Sequence, residues 1–319
     1  MVRETTRLSK TSRKSKASKS SLFNKANLRY WQLYILMIPA IVYMVIFMYG
    51  PMYGVQIAFR DFSARAGFWN SPWVGLTHFK RFLSYPDFWR IMQNTLSISL
   101  LNLVFGFPLP ILLALMLNEV RNRIFKKTVQ MATYLPYFIS SVAFAGMVTL
   151  FCDRNAGMIT NILTLFGVER SNLLSVPGYF QAIYVGSYIW QHTGYTSVLY
   201  IASLSNVDMS IVEAARVDGA SRLQKIWHVD FQCLKPTIII QLILSIGRIL
   251  TLSYDRILLL QNDLNMETSD IISTYVYRLG LIGGQFSYTT AIGLFNNVIN
   301  LILLVIVNTI ARKYSETSV

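Results

Sequence analysis

Long stretches without a charged residue constrain this 319-residue chain more than any other feature. Five windows contain no Lys, Arg, Asp or Glu, and a sixth is interrupted only by Arg248. A helix needs about 20 apolar residues to span a bilayer, so these windows predict an all-α integral membrane protein with six transmembrane helices. In chain order the windows are Tyr30 to Tyr49, Ile91 to Asn118, Thr128 to Cys152, Ser171 to Val207, Thr237 to Tyr254 and Leu279 to Ala311.

Basic residues are distributed unevenly along the chain. The formal net charge is +14, and residues 1–29 contribute nine Lys or Arg against one Glu. The segment 119–127, between the second and third windows, contributes four more Lys or Arg. Cytoplasmic segments of membrane proteins are enriched in these residues, so we expect both termini to be cytoplasmic. We predict a disordered basic tail over 1–29, a membrane domain over 30–313 and a short tail over 314–319.

A charged insert, EAARVDGASRLQKIWHVDFQCLKP, separates the fourth and fifth windows. Ser210, three residues before Glu213, fits a capping box, which predicts that a short helix begins there. Gly219 favours the end of that helix, and a second helical piece is expected over 221–228. Small side chains allow another protein's backbone to approach closely, so the insert is a candidate docking site, with an amphipathic surface helix as the alternative. The small residues are Ala214, Ala215, Gly219 and Ala220.

The insert resembles the EAA loop of the membrane subunits of ATP-binding-cassette (ABC) importers of the binding-protein-dependent, MetI-like type. Glu213, Ala214, Ala215 and Gly219 match the spacing of that loop, and Asp218-Gly219-Ala220 has the form typical of sugar permeases. Gln232 departs from the pattern, since the family usually has Pro there. Weaker similarities to oligosaccharide and polysaccharide permeases follow in family order at Asn94-Thr95, Tyr134-Leu135-Pro136, Trp190 with Gly194, and Gly284 to Tyr288.

The resemblance implies a permease subunit of a sugar importer in the bacterial plasma membrane. The coupling segment 208–236 would contact the ATPase through Glu213, Ala214, Ala215, Asp218, Gly219 and Ala220. The implied partners are a second homologous permease subunit, two ATPase subunits, an extracytoplasmic binding protein, an oligosaccharide and membrane lipid. The chain lacks the G-x-x-x-x-G-K-[ST] phosphate loop, so ATP and Mg are expected in the partner ATPase and no cofactor or enzyme activity in this chain.

Polar residues at membrane depth are costly unless they face protein or water, so they mark candidate positions on the substrate path. Arg248 is expected midway along the fifth helix, where it would suit a carboxylate-bearing glycan such as a uronic-acid oligosaccharide, or pair with the second permease. Asp255 and Arg256, close to the outer mouth, are expected to be solvated charges, with contact to the binding protein as the alternative. For the remaining candidates, the competing roles are hydrogen bonding between helices and anchoring at the interface. They are Tyr134, Tyr137, Trp190, Gln191, His192, Asn296, Asn297 and Asn300.

Aromatic, cysteine and acidic residues complete the functional interpretation. The outer segment 50–90, rich in aromatic residues, is expected to contact the binding protein, with a lid over the helix ends as the alternative. Cys152 and Cys233 are expected to remain unpaired. A membrane-embedded enzyme for lipid-linked sugars would require paired acids or a metal cluster, whereas the acids are scattered without D-x-D spacing and no metal site is expected. A stand-alone facilitator would not require a small-residue docking helix. A permease for peptides or another solute also remains open, and only the resemblance to sugar permeases disfavours it.

Overall fold

The computed structural model describes residues 31–314, without the side chain of Tyr314. The predicted tails, 1–29 and 314–319, therefore lie outside the described residues except for Tyr314. Residues 31–314 contain no β-strand, which confirms the all-α fold class. The principal helices are α1 (Trp31–Phe59), α2 (Phe88–Glu119), α3 (Arg123–Phe138), α4 (Ser141–Phe151), α5 (Pro177–Ser205), α6 (Met209–Val217), α7 (Arg222–Ile246), α8 (Tyr254–Leu260) and α9 (Phe286–Tyr314).

The number of membrane spans depends on two bent pairs of helices. Within the described residues, α1, α2, α7 and α9 are each long and apolar enough to cross a membrane. The pair α3 and α4 is bent by 102°, and the pair α5 and α6 by 75°. The count reaches six if each pair is one span, so the exact number six stays a prediction. Shorter helices lie in the connections, at Gly67–Asn70, Thr77–Leu83, Met158–Leu165, Met266–Ser269 and Ile272–Val276.

The third predicted window is not one straight helix. Pro136 removes a backbone donor, and the chain tightens to a 3-10 turn over Leu135–Phe138 before becoming extended at Ile139. Ser140 then begins α4 by accepting a hydrogen bond from the Ala143 N–H at 3.3 Å. The window therefore yields two helices whose meeting point is a sharp corner.

The fifth predicted helix has different bounds in the structure. Helix α7 begins at Arg222, inside the charged insert, and ends at Ile246. The predicted second helical piece is therefore the first part of α7, and the true capping box is formed by Ser221 and Gln224. Arg248 does not lie midway along a helix but in the break between α7 and α8.

Two amides of α9 satisfy the backbone at that break. The Leu250 N–H donates to Asn300 Oδ1 at 3.2 Å, and Asn296 Nδ2 donates to the Leu250 carbonyl at 3.2 Å. Asn300 Nδ2 also donates to Thr251 Oγ1 at 3.0 Å. These bonds replace the intrahelical bonds that the break removes, as buried backbone groups require.

By its contacts the chain divides into two compact units, with the boundary in the sequence between Gly54 and Val55. In the first unit no residue from Trp31 to Met52 is buried. In the second unit, one apolar cluster includes Phe144 of α4, Tyr184 of α5 and Ile257 of α8. A second joins α9 to the short helices that contain Phe82 and Tyr275.

A third apolar cluster includes Ala114 of α2, Tyr200 of α5 and Leu234 of α7, each with at most 1% of its surface exposed. This cluster holds the ends of α2 and α5 against the beginning of α7. Cys152 is buried and Cys233 exposed, and both are free, as predicted.

Gly194 is the closest approach between α5 and α3. A Cβ atom at this position would lie 2.1 Å from the Thr133 carbonyl oxygen and 2.3 Å from its carbonyl carbon. Gly194→Ala should therefore force the two helices apart and lower the thermal unfolding temperature in detergent, at a cost of about 1–3 kcal/mol. Gly186→Ala, on the same helix with no atom within 4 Å, is the matched control and should leave that temperature unchanged. Equal behaviour of the two variants would contradict this packing.

Candidate coupling segment and translocation cavity

Helix α6 carries the predicted coupling residues. It begins after Asp208, whose Oδ1 accepts a hydrogen bond from the Ser210 N–H at 2.9 Å. The N-cap is thus Asp208 and not Ser210, so the predicted capping box is wrong. Hydrogen bonds from the Ser210 backbone and side chain hold the pKa of Asp208 below its ordinary value. An ionised carboxylate suits the positive end of the helix dipole.

The end of α6 agrees with the predicted glycine stop. Gly219 has φ +75°, which favours glycine, and the Ala220 N–H donates to the Ala215 carbonyl at 3.0 Å. Val212 is the one buried residue of α6. Glu213, Ala214, Asp218 and Gly219 are exposed, while Ala215 and Ala220 are half-buried. Val217, at 87% exposure, adds an apolar contact surface to the same end.

A cavity of about 310 Å³ lies between α2, α5, α7 and the break after α7. Helix α2 contributes its π-helical turn, Asn102–Gly106, and such turns are frequent at functional sites. Helix α5 contributes a stripe of side chains spaced four residues apart. The stripe consists of Tyr184, Tyr188, His192, Thr196 and Tyr200.

Several polar atoms of the cavity wall are available to a ligand. Ser99 Oγ and Asn102 Oδ1 are buried and have no hydrogen-bond partner within the described part of the chain. Buried polar groups are normally paired, so orphaned ones in a cavity wall indicate a place for a polar ligand or water. Further hydroxyl and amide groups come from Thr193, Gln241 and Ser245.

The cavity is electropositive. Arg248 lines it, and the described residues of its lining include no Asp or Glu. Arg256 lies behind the wall, with its guanidinium 5.4 Å from the centre of the Tyr188 ring and 5.3 Å from that of Phe144. Low-dielectric walls with one sign of charge concentrate the field and attract the opposite charge.

Arg256 was predicted to be a solvated charge, but it is buried in the structure. It is 5% exposed and donates from Nη2 to Gln191 Oε1, while Nη1 has no partner among the described residues. Within residues 31–314 it forms no ion pair. Asp255, its neighbour, is exposed as predicted. The charge of Arg256 adds to the positive potential behind the cavity wall, and Asp255, which lies outside ion-pair distance, offsets part of it.

The predicted path residues fall into separate environments. His192 and Arg248 line the cavity. Tyr137 is near it, stacked on Tyr195 at 3.9 Å and edge-on to His192 at 5.5 Å. Tyr134, on α3, is half-buried.

Trp190 lines a different, apolar groove of about 490 Å³, together with Phe151 and Ile183. Gln191 is buried, and its Nε2 donates to the Ile139 carbonyl at 3.0 Å. Asn296 and Asn300 bind the α7–α8 break, and Asn297 is exposed. None of these five predicted residues lines the electropositive cavity, so the structure groups His192 and Arg248 there and separates the rest.

The sequence patterns did not mark Ser99, Asn102, Tyr188 or Arg256 as residues in or behind the cavity wall. A signal for the α5 side of the cavity was available, because the four-residue spacing from Tyr184 to Tyr200 indicates one face of a helix. For Arg256 no local signal exists, since its burial depends on Gln191 and Phe144 from other helices.

Comparison with known proteins places the chain in a family. Residues 106–316 match the family described as "Binding-protein-dependent transport system inner membrane component". Protein LplB of Bacillus subtilis (strain 168) is 41% identical over 284 residues, which are 89% of each chain. The polygalacturonan/rhamnogalacturonan transport system permease protein YteP of the same strain is 40% identical over 287 residues, 90% of this chain and 89% of that protein.

A solved structure is similar as well. It is the crystal structure of a bacterial alginate ABC transporter in complex with an alginate pentasaccharide-bound periplasmic protein, with a TM-score of 0.83 and 39% identity. The match covers 92% of this chain and 99% of that one. The fold is therefore that of an ABC importer permease, and the chain belongs to the binding-protein-dependent inner membrane family. It is a membrane-embedded transport subunit and not itself an enzyme, since the ATPase of such systems is a separate subunit.

Gln191 holds the buried Arg256, which gives a test of this wall. Gln191→Leu removes the acceptor of the guanidinium and should lower the unfolding temperature in detergent, at about 1.5–3 kcal/mol for a hydrogen bond to a charged group. Gln191→Glu offers a counter-charge to Arg256 but loses the bond from Nε2 to the Ile139 carbonyl, so its unfolding temperature should lie between those of the leucine variant and the wild type. If the leucine variant were as stable as the wild type, Arg256 would have another partner.

Proposed function

We propose that this chain forms half of the transmembrane path of an ATP-driven importer for acidic oligosaccharides. The observation that carries the proposal is the electropositive cavity, in which Arg248 lines the wall and the described lining includes no carboxylate. Arg256 adds a second positive charge behind Tyr188. A glycan with a carboxylate on each sugar would be attracted to such a cavity.

The chemistry of the wall also suits a sugar chain. Sugar rings have apolar faces that stack on aromatic side chains, and the half-buried Tyr188 lines one side of the cavity, while Tyr184 and Tyr200 are 1% exposed and pack in the core. The sugar hydroxyls require hydrogen-bond partners, and the unpaired Ser99 Oγ and Asn102 Oδ1 are two such groups in the wall. Arg248 supplies the charge-assisted bond to a carboxylate.

The similar transporters support acidic oligosaccharides as the substrate class. Alginate and polygalacturonan are both polymers of uronic acids, and the corresponding transporters are about 40% identical to this chain. The chain would receive a uronic-acid oligosaccharide from an extracytoplasmic binding protein. The outer segment 50–90, in which Trp69 is 71% and Trp73 63% exposed, is the proposed contact for that protein.

The proposed ATPase contact is α6 with the turn that follows it. Its exposed small residues and the apolar Val217 form a surface that another protein can approach closely. We place this surface and both termini in the cytoplasm, with six transmembrane segments in the plasma membrane. The complete importer would contain a second homologous permease and two ATPase subunits, which would bind the ATP and Mg.

The substrate class can be tested at Arg248. In proteoliposomes that contain the complete importer and its binding protein, Arg248→Met should reduce uptake of short oligogalacturonates about tenfold, the factor that about 1.4 kcal/mol represents. Arg248→Lys keeps the charge and should retain most of the uptake. Neutral xylooligosaccharides of equal length serve as the comparison substrate. Wild-type preference for the neutral sugar, or unaltered uptake by the methionine variant, would contradict the acidic class.

The ATPase contact can be tested by copurification from the native membrane. Glu213→Arg with Gly219→Trp should abolish copurification of an ATPase, because it inverts a charge and places a bulky side chain on the docking surface. Glu169→Arg with Gly167→Trp is the matched control, since Glu169 is exposed and Gly167 also has a positive φ, +84°. The control should retain the ATPase. Its retention by the first variant would show that α6 is not the contact.

A further inference from the structure

Three charged residues meet at the beginning of α7. Lys225 Nζ lies 2.5 Å from Glu119 Oε1 and 3.0 Å from Asp230 Oδ2. Asp230 is 1% exposed, and Asn118 Nδ2 lies 3.5 Å from the same carboxylate. We call Lys225, Glu119 and Asp230 the ion triad.

The ion triad connects two distant parts of the chain. Glu119 is the last residue of α2, whereas Lys225 lies in the first turn of α7. Only the turn around Gly219 separates α7 from α6, and Ser221 caps α7 with both bonds of a capping box. The beginning of α7 therefore follows α6 closely, and the ion triad attaches it to α2.

The ion triad supplies something that the neighbouring apolar contacts do not. Ala114, Tyr200 and Leu234 also hold α2, α5 and α7 together, but apolar attraction is non-directional and tolerates sliding. The half-buried Lys225 lies between two carboxylates, and its separation from them would leave the buried Asp230 without a counter-ion. The ion triad therefore determines the register between α2 and α7.

Helix α2 leads from the ion triad to the cavity. Its π-helical turn ends at Gly106 and lines the cavity, and Phe107 and Pro110 follow on the same wall. From Gly106 to Glu119 the helix rises about 20 Å, at about 1.5 Å per residue. A displacement of Glu119 along or across this helix would therefore move the cavity wall.

We propose that Lys225, Glu119 and Asp230 are positioning residues that transmit movement of the coupling helix α6 to the cavity wall through α2. The inference rests on the proposed docking of an ATPase at α6. It does not depend on which oligosaccharide is transported. Without the ion triad, α6 and α7 would move while α2 lagged behind.

The decisive variant removes the charges together. Lys225→Met, Glu119→Gln and Asp230→Asn leave no buried charge unpaired, and such neutral replacements of buried ion pairs usually fold well. Arg90→Met is the control, because it breaks an ion pair to Asp87 of similar length, 3.1 Å, whose side chains are 42% and 40% exposed. A third variant, Glu119→Lys, Lys225→Glu and Asp230→Asn, restores one reversed ion pair.

The measurement is the distance between spin labels at positions 116 and 223 in the assembled importer, without nucleotide and trapped with ATP and vanadate. Met116 on α2 is 70% exposed and Leu223 in the first turn of α7 is 79% exposed, and neither belongs to the proposed docking surface, so labels there should not disturb packing or assembly. Cys152→Ala and Cys233→Ser remove the native thiols. The wild type and Arg90→Met should show one narrow distance that trapping leaves unchanged. The neutral variant should show a distance that shifts or broadens on trapping, and the reversed pair should restore the narrow one.

A transport measurement separates coupling from simple bracing. With short oligogalacturonates in proteoliposomes, the neutral variant should hydrolyse at least about fivefold more ATP per oligosaccharide imported, the lower range of measured coupling between sites. A neutral variant with wild-type distances in both states would overturn the inference. An equal loss of assembled complex, ATP hydrolysis and uptake would also overturn the inference, because the ion triad would then only stabilise the fold. If the wild type imported no oligogalacturonate, the proposed substrate would fail while the distances still decided the coupling.

Discussion

The arrangement of the cavity depends on how the backbone is satisfied where α7 stops. At membrane depth an unpaired N–H or C=O has no water to bind, so a helix can break only where other groups replace its bonds. Asn296 and Asn300 of α9 provide those groups at Leu250. Because the break is possible there, Arg248 leaves the helical path and lines the cavity, and α8 begins where it can bury Arg256 against α4 and α5.

The electrostatics of the cavity follow from this geometry. Arg248 is accessible from the cavity, and Arg256 is held behind the aromatic wall by Gln191 and two rings. Within residues 31–314 Arg256 forms no ion pair, and the exposed Asp255 offsets its charge only in part. The same wall contains the half-buried Tyr188 and the unpaired Ser99 Oγ and Asn102 Oδ1, so charge and hydrogen-bonding groups lie together, which suits the proposed uronic-acid substrate.

The opposite charge pattern occurs at the other end of α2, where two carboxylates hold one lysine. The contacts of Lys225 with Glu119 and Asp230 unite the beginning of α7 with the helix that carries much of the cavity wall. A transport subunit of this family must convert a movement at its ATPase surface into a change at its substrate path. Helices α2, α5 and α7 share both an apolar cluster and the cavity, which makes them suited to that conversion.

Local sequence patterns predicted some elements closely and others poorly. The second window, Ile91 to Asn118, became α2, and α6 ended just before the turn at Gly219, as expected. The N-cap of α6 was predicted at Ser210, two residues after the observed N-cap, Asp208. Both are good N-cap residues, and only the backbone conformation distinguishes them. The third window was predicted as one helix, and the corner at Ile139 divides it, since a single proline does not reveal the size of the bend.

The sequence by itself determined the helical fold class, the family and the glycine turn after α6, because apolar windows, turn glycines and a spaced motif are local properties. The tertiary structure alone decided where α7 breaks, which arginine is buried and which polar residues face the cavity. The reason is distance along the chain. Asn300 is 50 residues from the backbone that it satisfies, Gln191 is 65 residues from Arg256, and Glu119 is 106 residues from Lys225. No local pattern encodes such pairs, which form only when packed helices bring them together.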